Sequence, residues 1–352
     1  MSEPTSAGRL GSIEACRGIA AATVVLYHAA RHLNKIYGLP SLTAFFQFGH
    51  AGVDLFFVIS GFIILYVHYH DIDSPPRLRH YIGRRFTRVM PTYWVALALT
   101  IFIAAGGHTE LPSVSDLFWS VSLAPSDHRL LLGIAWTLRF ELLFYAIFCI
   151  LILHRITGLI VMGVWLAAII VVATGHSVGP GPISLLTGTF NLEFFFGMAA
   201  AYTLRNRSIP APKMWLMTGI LLFAAVAISE GAAILDGYAN YARLAYGIPS
   251  ALIVIGAAEA GRQGRLPVPP PLRILGTASY SIYLFQFVFI GACWQAWMAI
   301  GLNQWIPHWA GFPLLALSGI VGGILMSRWI EYPLIRVVRG SRREAQPRTA
   351  IG

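Results

Sequence analysis

Apolar runs of about twenty residues recur along the whole chain, and this recurrence narrows what it can fold into more than any other feature. A hydrocarbon layer about 30 Å thick is crossed by roughly 20 helical residues. Within that layer every backbone N–H and C=O must be satisfied inside a helix or a closed barrel. Barrel strands would alternate apolar and polar residues over about ten positions, whereas these runs are apolar all round. The sequence therefore predicts an all-α, polytopic helical membrane protein of about ten transmembrane helices. The expected spans lie near 13–31, 50–69, 91–106, 134–153, 156–174, 184–203, 214–229, 241–258, 276–298 and 310–330. Hydrophobic residues make up 57% of the 352 and charged residues 11%, against about 45–50% and 25% in soluble domains, so water is not the main solvent.

A net charge of +10 would suit nucleic acid, but the placement of the basic residues gives another reason for it. With the amino terminus in the cytoplasm, about 18 basic residues fall in cytoplasmic segments, including Arg77, Arg79, Arg84, Arg85 and Arg88 and the tail from Arg336 to Arg348. About four, Arg31, Lys35, Arg129 and Arg243, fall on the other side. This is the positive-inside bias, and an even number of spans makes both termini cytoplasmic. The expected layout is a cytoplasmic tail over 1–12, a transmembrane domain over 13–332 and a basic tail over 333–352 beside anionic headgroups. The first span lacks a small-residue cleavage pattern and is expected to be retained. No nucleic-acid partner is expected. Cys16, Cys149 and Cys293 each fall inside a span and read as small hydrophobes; no metal-ligand spacing is present. The Pro-rich stretch Pro267 to Pro271 reads as a spacer.

An ionisable group inside a span costs about 2.5–3.5 kcal/mol or more and is a functional candidate. Glu14, Arg17 and His28 fall in the first span, Asp54 in the second, Arg139 and Glu141 in the fourth and Glu193 in the sixth. Arg17 and His28 are eleven residues apart, so they share a helix face about 16 Å apart. Asp54, near the start of a span running the opposite way, falls at a similar depth to His28, which reads as the lone imidazole well inside the first three spans. Asp54 could orient His28 as a base, as a carboxylate does in hydrolase triads. Alternatively, His28 bonds a neighbouring helix and Asp54 caps the second span. Arg84, Arg85 and Arg88 would share a helical face before Pro91 opens the third span. Clustered guanidinium groups suit phosphate, and simple anchoring at the membrane surface is the alternative.

Several segments together resemble the acyltransferase 3 family of bacterial membrane-bound acyltransferases. They are Ile13-Glu-Ala-Cys-Arg17 running to Tyr27-His28, Gly52-Val-Asp-Leu-Phe-Phe-Val-Ile-Ser-Gly-Phe62, Arg85-Phe-Thr-Arg88 before Pro91, and Trp136-Thr-Leu-Arg-Phe-Glu141 with Tyr145. Leu275 to Gln286 and Glu331-Tyr-Pro333 extend the likeness to the carboxyl end. Gln286 stands where many relatives carry His, so only a neutral hydrogen-bonding role carries over.

The resemblance implies transfer of an acyl group, usually acetyl from acetyl-coenzyme A, to a hydroxyl of an exopolysaccharide, lipopolysaccharide or related envelope glycan, free or lipid-linked. It assigns His28 the leading catalytic role. With it, Asp54 is expected to orient His28, and Glu141 to organise the acceptor or balance Arg17 or Arg139. Arg17, Arg85 and Arg88 are expected to hold the nucleotide end of the donor. The donor is a substrate, so no permanently bound cofactor or metal is expected. Glu193 and Arg139 read as structural partners for buried charge, and Tyr280 and Tyr283 as packing residues with a polar tip. Other expected partners are membrane lipids and the polysaccharide biosynthesis machinery, at the cell inner membrane. The competing reading is a glycan or lipid transporter or flippase using the same polar residues, although no repeated halves are evident. A third is a catalytically silent sensor.

Overall fold

A backbone in hydrocarbon closes its hydrogen bonds along its own helix. In the computed structural model, which describes residues 6–106, 112–176 and 178–344, the chain is helix joined by turns, with no strand among the described residues. The helices are α1 (Ser6–Tyr37), α2 (Pro40–Phe46), α3 (Gly52–His68), α4 (Leu78–Gly106), α5 (Val114–Ser122), α6 (Trp136–Leu153) and α7 (Arg155–Ala173). They continue with α8 (Pro182–Thr187), α9 (Asn191–Asn206), α10 (Pro212–Gly231), α11 (Ala242–Arg262), α12 (Pro270–Ala299), α13 (Gly311–Met326) and α14 (Tyr332–Glu344). The basic-tail residues 345–352 lie outside the described residues, and the boundary expected at residue 12 falls inside α1.

Among the described residues, nine helical segments are long and apolar enough to cross a membrane, from Pro40–Asp71 to His308–Val338. They coincide with nine of the ten expected spans. The first expected span lies on α1, whose 32 residues extend about 48 Å; Glu14, Arg17, His28 and Arg31 dilute its hydropathy. Its neighbours explain how it carries so many polar groups, because it packs against α12, α11, α3 and α13. Ala21, Val25, Ala29 and Leu33, four residues apart and fully buried, form one stripe against Ala278, Ile282 and Ile290 of α12 and Leu315 and Ala316 of α13. Small residues on such a stripe let helices approach closely where lipid offers no hydrophobic drive. Gly18 and Gly276 face each other at one such crossing: a Cβ at Gly18 would stand 2.6 Å from the Gly276 nitrogen, and one at Gly276 2.4 Å from the Glu14 carbonyl oxygen.

A second core fills the space among α3, α6 and α9 with aromatic rings. Phe57 meets Phe190 and Phe194 at 5.6 and 4.9 Å between centroids, and Phe144 stacks on Phe194 at 4.4 Å. By contrast, α7 and α10 turn Ile156, Leu159, Ile160, Val164, Met217 and Leu221 outward, as lipid-facing helices do.

Two details bear on the site. Pro91 does not open the third span, as the sequence suggested. It lies inside α4, which runs unbroken from Leu78, so Arg85 and Arg88 belong to the same rigid helix as the span. Between α13 and α14 the chain makes a π-helical turn, Ser327–Glu331, and buries Glu331; such turns re-aim side chains at functional sites.

Candidate functional site

Arg17 of α1, Arg85 and Arg88 of α4, and Glu141 of α6 line one cavity of about 90 Å³, together with Ser60, Thr137, Tyr145, Tyr280 and Tyr283. Four of the six residues expected to act on donor or acceptor are thus brought together by three helices that are distant in the chain. Glu141 accepts hydrogen bonds from Ser60 at 3.2 Å and from Tyr145 one turn on, as their shared helix face required. Arg139 does not pair with Glu141. It turns the other way and donates to the carbonyls of Ser126 and His128 at 2.8 and 2.9 Å, clamping the loop before α6.

The cavity's cations are only partly neutralised. Arg88 lies 3.4 Å from Glu331 and 5.9 Å from the centre of the Tyr280 ring, and Glu331 also accepts from Ser281 at 2.6 Å. Arg85 sits over the Tyr145 ring at 5.5 Å and contacts His68 Nε2 at 3.1 Å. His68 Nδ1 bonds Asp71 at 2.7 Å, which places the proton on Nδ1 and leaves Nε2 to accept from Arg85. Among the described residues, neither Arg17 nor Arg85 has a carboxylate within ion-pair distance. Three guanidinium groups therefore face two carboxylates, Glu141 and Glu331, and the cavity favours an anion. Arg84, expected on the same face, is exposed.

His28 does not pair with Asp54, and this corrects the expected orienting role. His28 Nδ1 bonds Gln286 Oε1 of α12 at 3.0 Å, and the Gln286 amide is held by donating to the Tyr283 carbonyl at 2.9 Å. Tyr283 lines the arginine cavity, so one turn of α12 joins the cavity to the histidine. The oxygen of Gln286 can only accept, which puts the proton on Nδ1 and frees Nε2. Asp54 is fully buried and bonds Arg243 of α11 at 2.6 Å. The pairing has a physical cause: a buried carboxylate needs a charged partner, and Arg243, itself buried, needs one as much. Glu193 lies buried beside this pair.

His28 itself is half-buried, whereas His50 and His68, at the two ends of the second expected span, are buried. His50 Nε2 bonds Glu230 at 2.8 Å, and Glu230 accepts from Tyr246 at 2.5 Å. A histidine–carboxylate pair does exist, then, between residues that no spacing signal linked. It neighbours His28 through Tyr27, whose ring is 5.0 Å from His28 and 5.8 Å from His50. Gln286, Glu331 and Tyr145 were within reach of sequence reasoning because they stand in the motifs. His50 and Glu230 were not, because their partners lie on other helices; His68 bonds Asp71 only three residues on, but its contact with Arg85 crosses to α4.

The sequence model of the acyltransferase 3 family, described as an acyltransferase domain, matches residues 10–328. The chain is similar to the exopolysaccharide production protein ExoZ of Rhizobium meliloti (strain 1021), with 33% identity over 312 residues that cover 84% of this chain and 93% of ExoZ. No solved structure matches.

Proposed function

This chain belongs to the acyltransferase 3 family, and from that premise we propose that it transfers a short acyl group, acetyl in the first instance, from acyl-coenzyme A to a hydroxyl of an exopolysaccharide or related envelope glycan. The observation that carries this reading is the arginine cavity joined to His28 by one turn of α12. Arg17, Arg85 and Arg88 offer guanidinium forks to the donor's phosphates. The narrow cavity favours a short acyl group.

His28 acts as the general base. Gln286 keeps Nδ1 protonated, so Nε2 takes the proton of the acceptor hydroxyl while that oxygen attacks the thioester carbonyl. The carbon–sulfur bond then breaks and the coenzyme A thiolate leaves, regaining a proton. Gln286 fixes the tautomer without lending a negative charge to the imidazolium, unlike the carboxylate of a hydrolase triad. Glu141, held by Ser60 and Tyr145, balances Arg17 in the cavity and positions the reacting end. The name of the similar exopolysaccharide production protein supports a glycan acceptor, and a multi-pass chain at the cell inner membrane would meet both cytoplasmic donor and envelope glycan.

The test is acyl transfer from labelled acetyl-coenzyme A by the purified chain to de-O-acylated glycan from the producing cells, alongside mass spectrometry of glycans from cells with and without the gene. Acyl groups lost with the gene and restored by the purified chain are expected. Unchanged acylation with mislocalised glycan would replace this reading with transport.

A further inference from the structure

The turn between α10 and α11, residues 232–241, carries an exposed ring on a rigid mount. Tyr238 is 60% exposed, yet its hydroxyl bonds that of Tyr27 and accepts from Gln47 at 3.4 Å. One face of its ring stacks on His50 at 4.8 Å and 21°. Its backbone N–H donates to Asp236 at 2.9 Å, and Arg243 donates to the carbonyl of the preceding Gly237 while holding Asp54 at 2.6 Å. An exposed aromatic on a surface turn ordinarily needs no such scaffold, and this one is fixed from beneath by a buried ion pair. The turn lies outside the membrane-crossing segments. Burial of the hydroxyl, with the bond to Tyr27, raises its pKa above the ordinary tyrosine value, so it remains a neutral hydroxyl.

Beside it, the exposed Arg31 donates to the Tyr27 hydroxyl at 2.7 Å and, among the described residues, has no carboxylate within ion-pair distance. Tyr27 in turn adjoins His28. A fixed aromatic face flanked by a guanidinium and an amide is the chemistry that takes a sugar ring. Carbon–hydrogen bonds of a pyranose lie against the ring face, and its hydroxyls find donors and acceptors at the edge.

We propose that Tyr238, with Arg31 and Gln47, forms the acceptor-sugar subsite, and that the Asp54–Arg243 pair serves to hold this turn in place next to His28. The proposal rests on the acyltransferase reading and adds to it where the acceptor sits. It also gives a task to Asp54, which bonds Arg243 rather than His28. Tyr238 is a binding residue; Asp54 and Arg243 are positioning residues.

The experiment is steady-state transfer from acetyl-coenzyme A to de-O-acylated oligosaccharide from the producing cells, with acceptor and donor varied separately. Tyr238→Ala should raise the acceptor KM by about tenfold or more, with donor KM unchanged and kcat close to wild type at saturating acceptor. Tyr238→Trp restores a ring face and should bring the acceptor KM back toward wild type. An acceptor KM within twofold of wild type in Tyr238→Ala, or a fall confined to kcat, overturns the subsite. If the Tyr238 variants do not fold, Arg31→Gln carries the test by the same acceptor-KM readout. Failure of the wild-type chain to acylate the oligosaccharide would sink the acyltransferase reading instead, so the two failures are distinct.

Discussion

An imidazole works as a base when one nitrogen is occupied and the other is free, and Gln286 provides that occupancy for His28 at 3.0 Å. His28→Ala should lower transfer by about 10²- to 10⁴-fold while the purified protein stays folded. Gln286→Ala removes one neutral hydrogen bond, worth about 0.5–1.5 kcal/mol, and should cost roughly tenfold or less. Turnover assays at saturating donor and acceptor distinguish the two, and an active His28→Ala would make the histidine structural. Arg85 has a ring and an imidazole for partners and no carboxylate, which leaves its charge available under the proposed donor role. Arg85→Ala should weaken coenzyme A binding by about 1.5–3 kcal/mol, read by calorimetry; unchanged affinity with collapsed turnover would remove it from the donor site. Arg243→Ala leaves Asp54 buried without its cation, at a cost of about 3–5 kcal/mol. A marked fall in the unfolding temperature of the detergent-solubilised protein is expected, and an unchanged one would mean the pair contributes little to stability.

Helix crossings, rather than single contacts, set the distance between the arginine cavity and the histidine. The approach of α1 to α12 rests on Gly18 and Gly276, and that of α3 to α9 on Gly61 and Gly197, where any Cβ would collide with the facing backbone. Gly197→Val should therefore destabilise the fold by about 1–3 kcal/mol or more. Gly163→Ala on α7, which meets nothing within 4 Å, should be neutral or slightly stabilising because alanine favours helix. Thermal unfolding in detergent compares them, and equal effects would argue against close crossing at α3 and α9. The unbroken α4 matters in the same way. Pro91 removes one N–H, but the helix runs on through it, so the positions of Arg85 and Arg88 are set by the packing of the whole span rather than by a flexible loop.

Across the whole molecule, the positive-inside bias of the loop charges predicts the Arg77–Arg88 segment on the cytoplasmic side and the Tyr238 turn on the other. Single cysteines at Arg265 and Gln304, in a chain whose three native cysteines are replaced, test this by labelling intact cells with an impermeant maleimide. Label at Gln304→Cys and none at Arg265→Cys is expected; the reverse inverts the bundle and separates the arginines from cytoplasmic donor. The all-helical membrane architecture was legible in the sequence because hydrocarbon allows a chain few solutions and those solutions require long apolar runs. The gathering of Arg17, Arg85, Arg88 and Glu141 was legible in part, because buried charge is rare enough in a membrane to mark itself. What the sequence could not assign was pairing. Asp54 was expected to turn to His28 while Arg243 read only as an outer-side charge, because residue spacing on a helix fixes faces and heights but not which neighbour turns toward them. Only the packing of α11 against α3 gave Asp54 to Arg243, left His28 to Gln286 and mounted Tyr238 beside them, because a buried charge takes the strongest partner that the assembled helices bring within bonding distance.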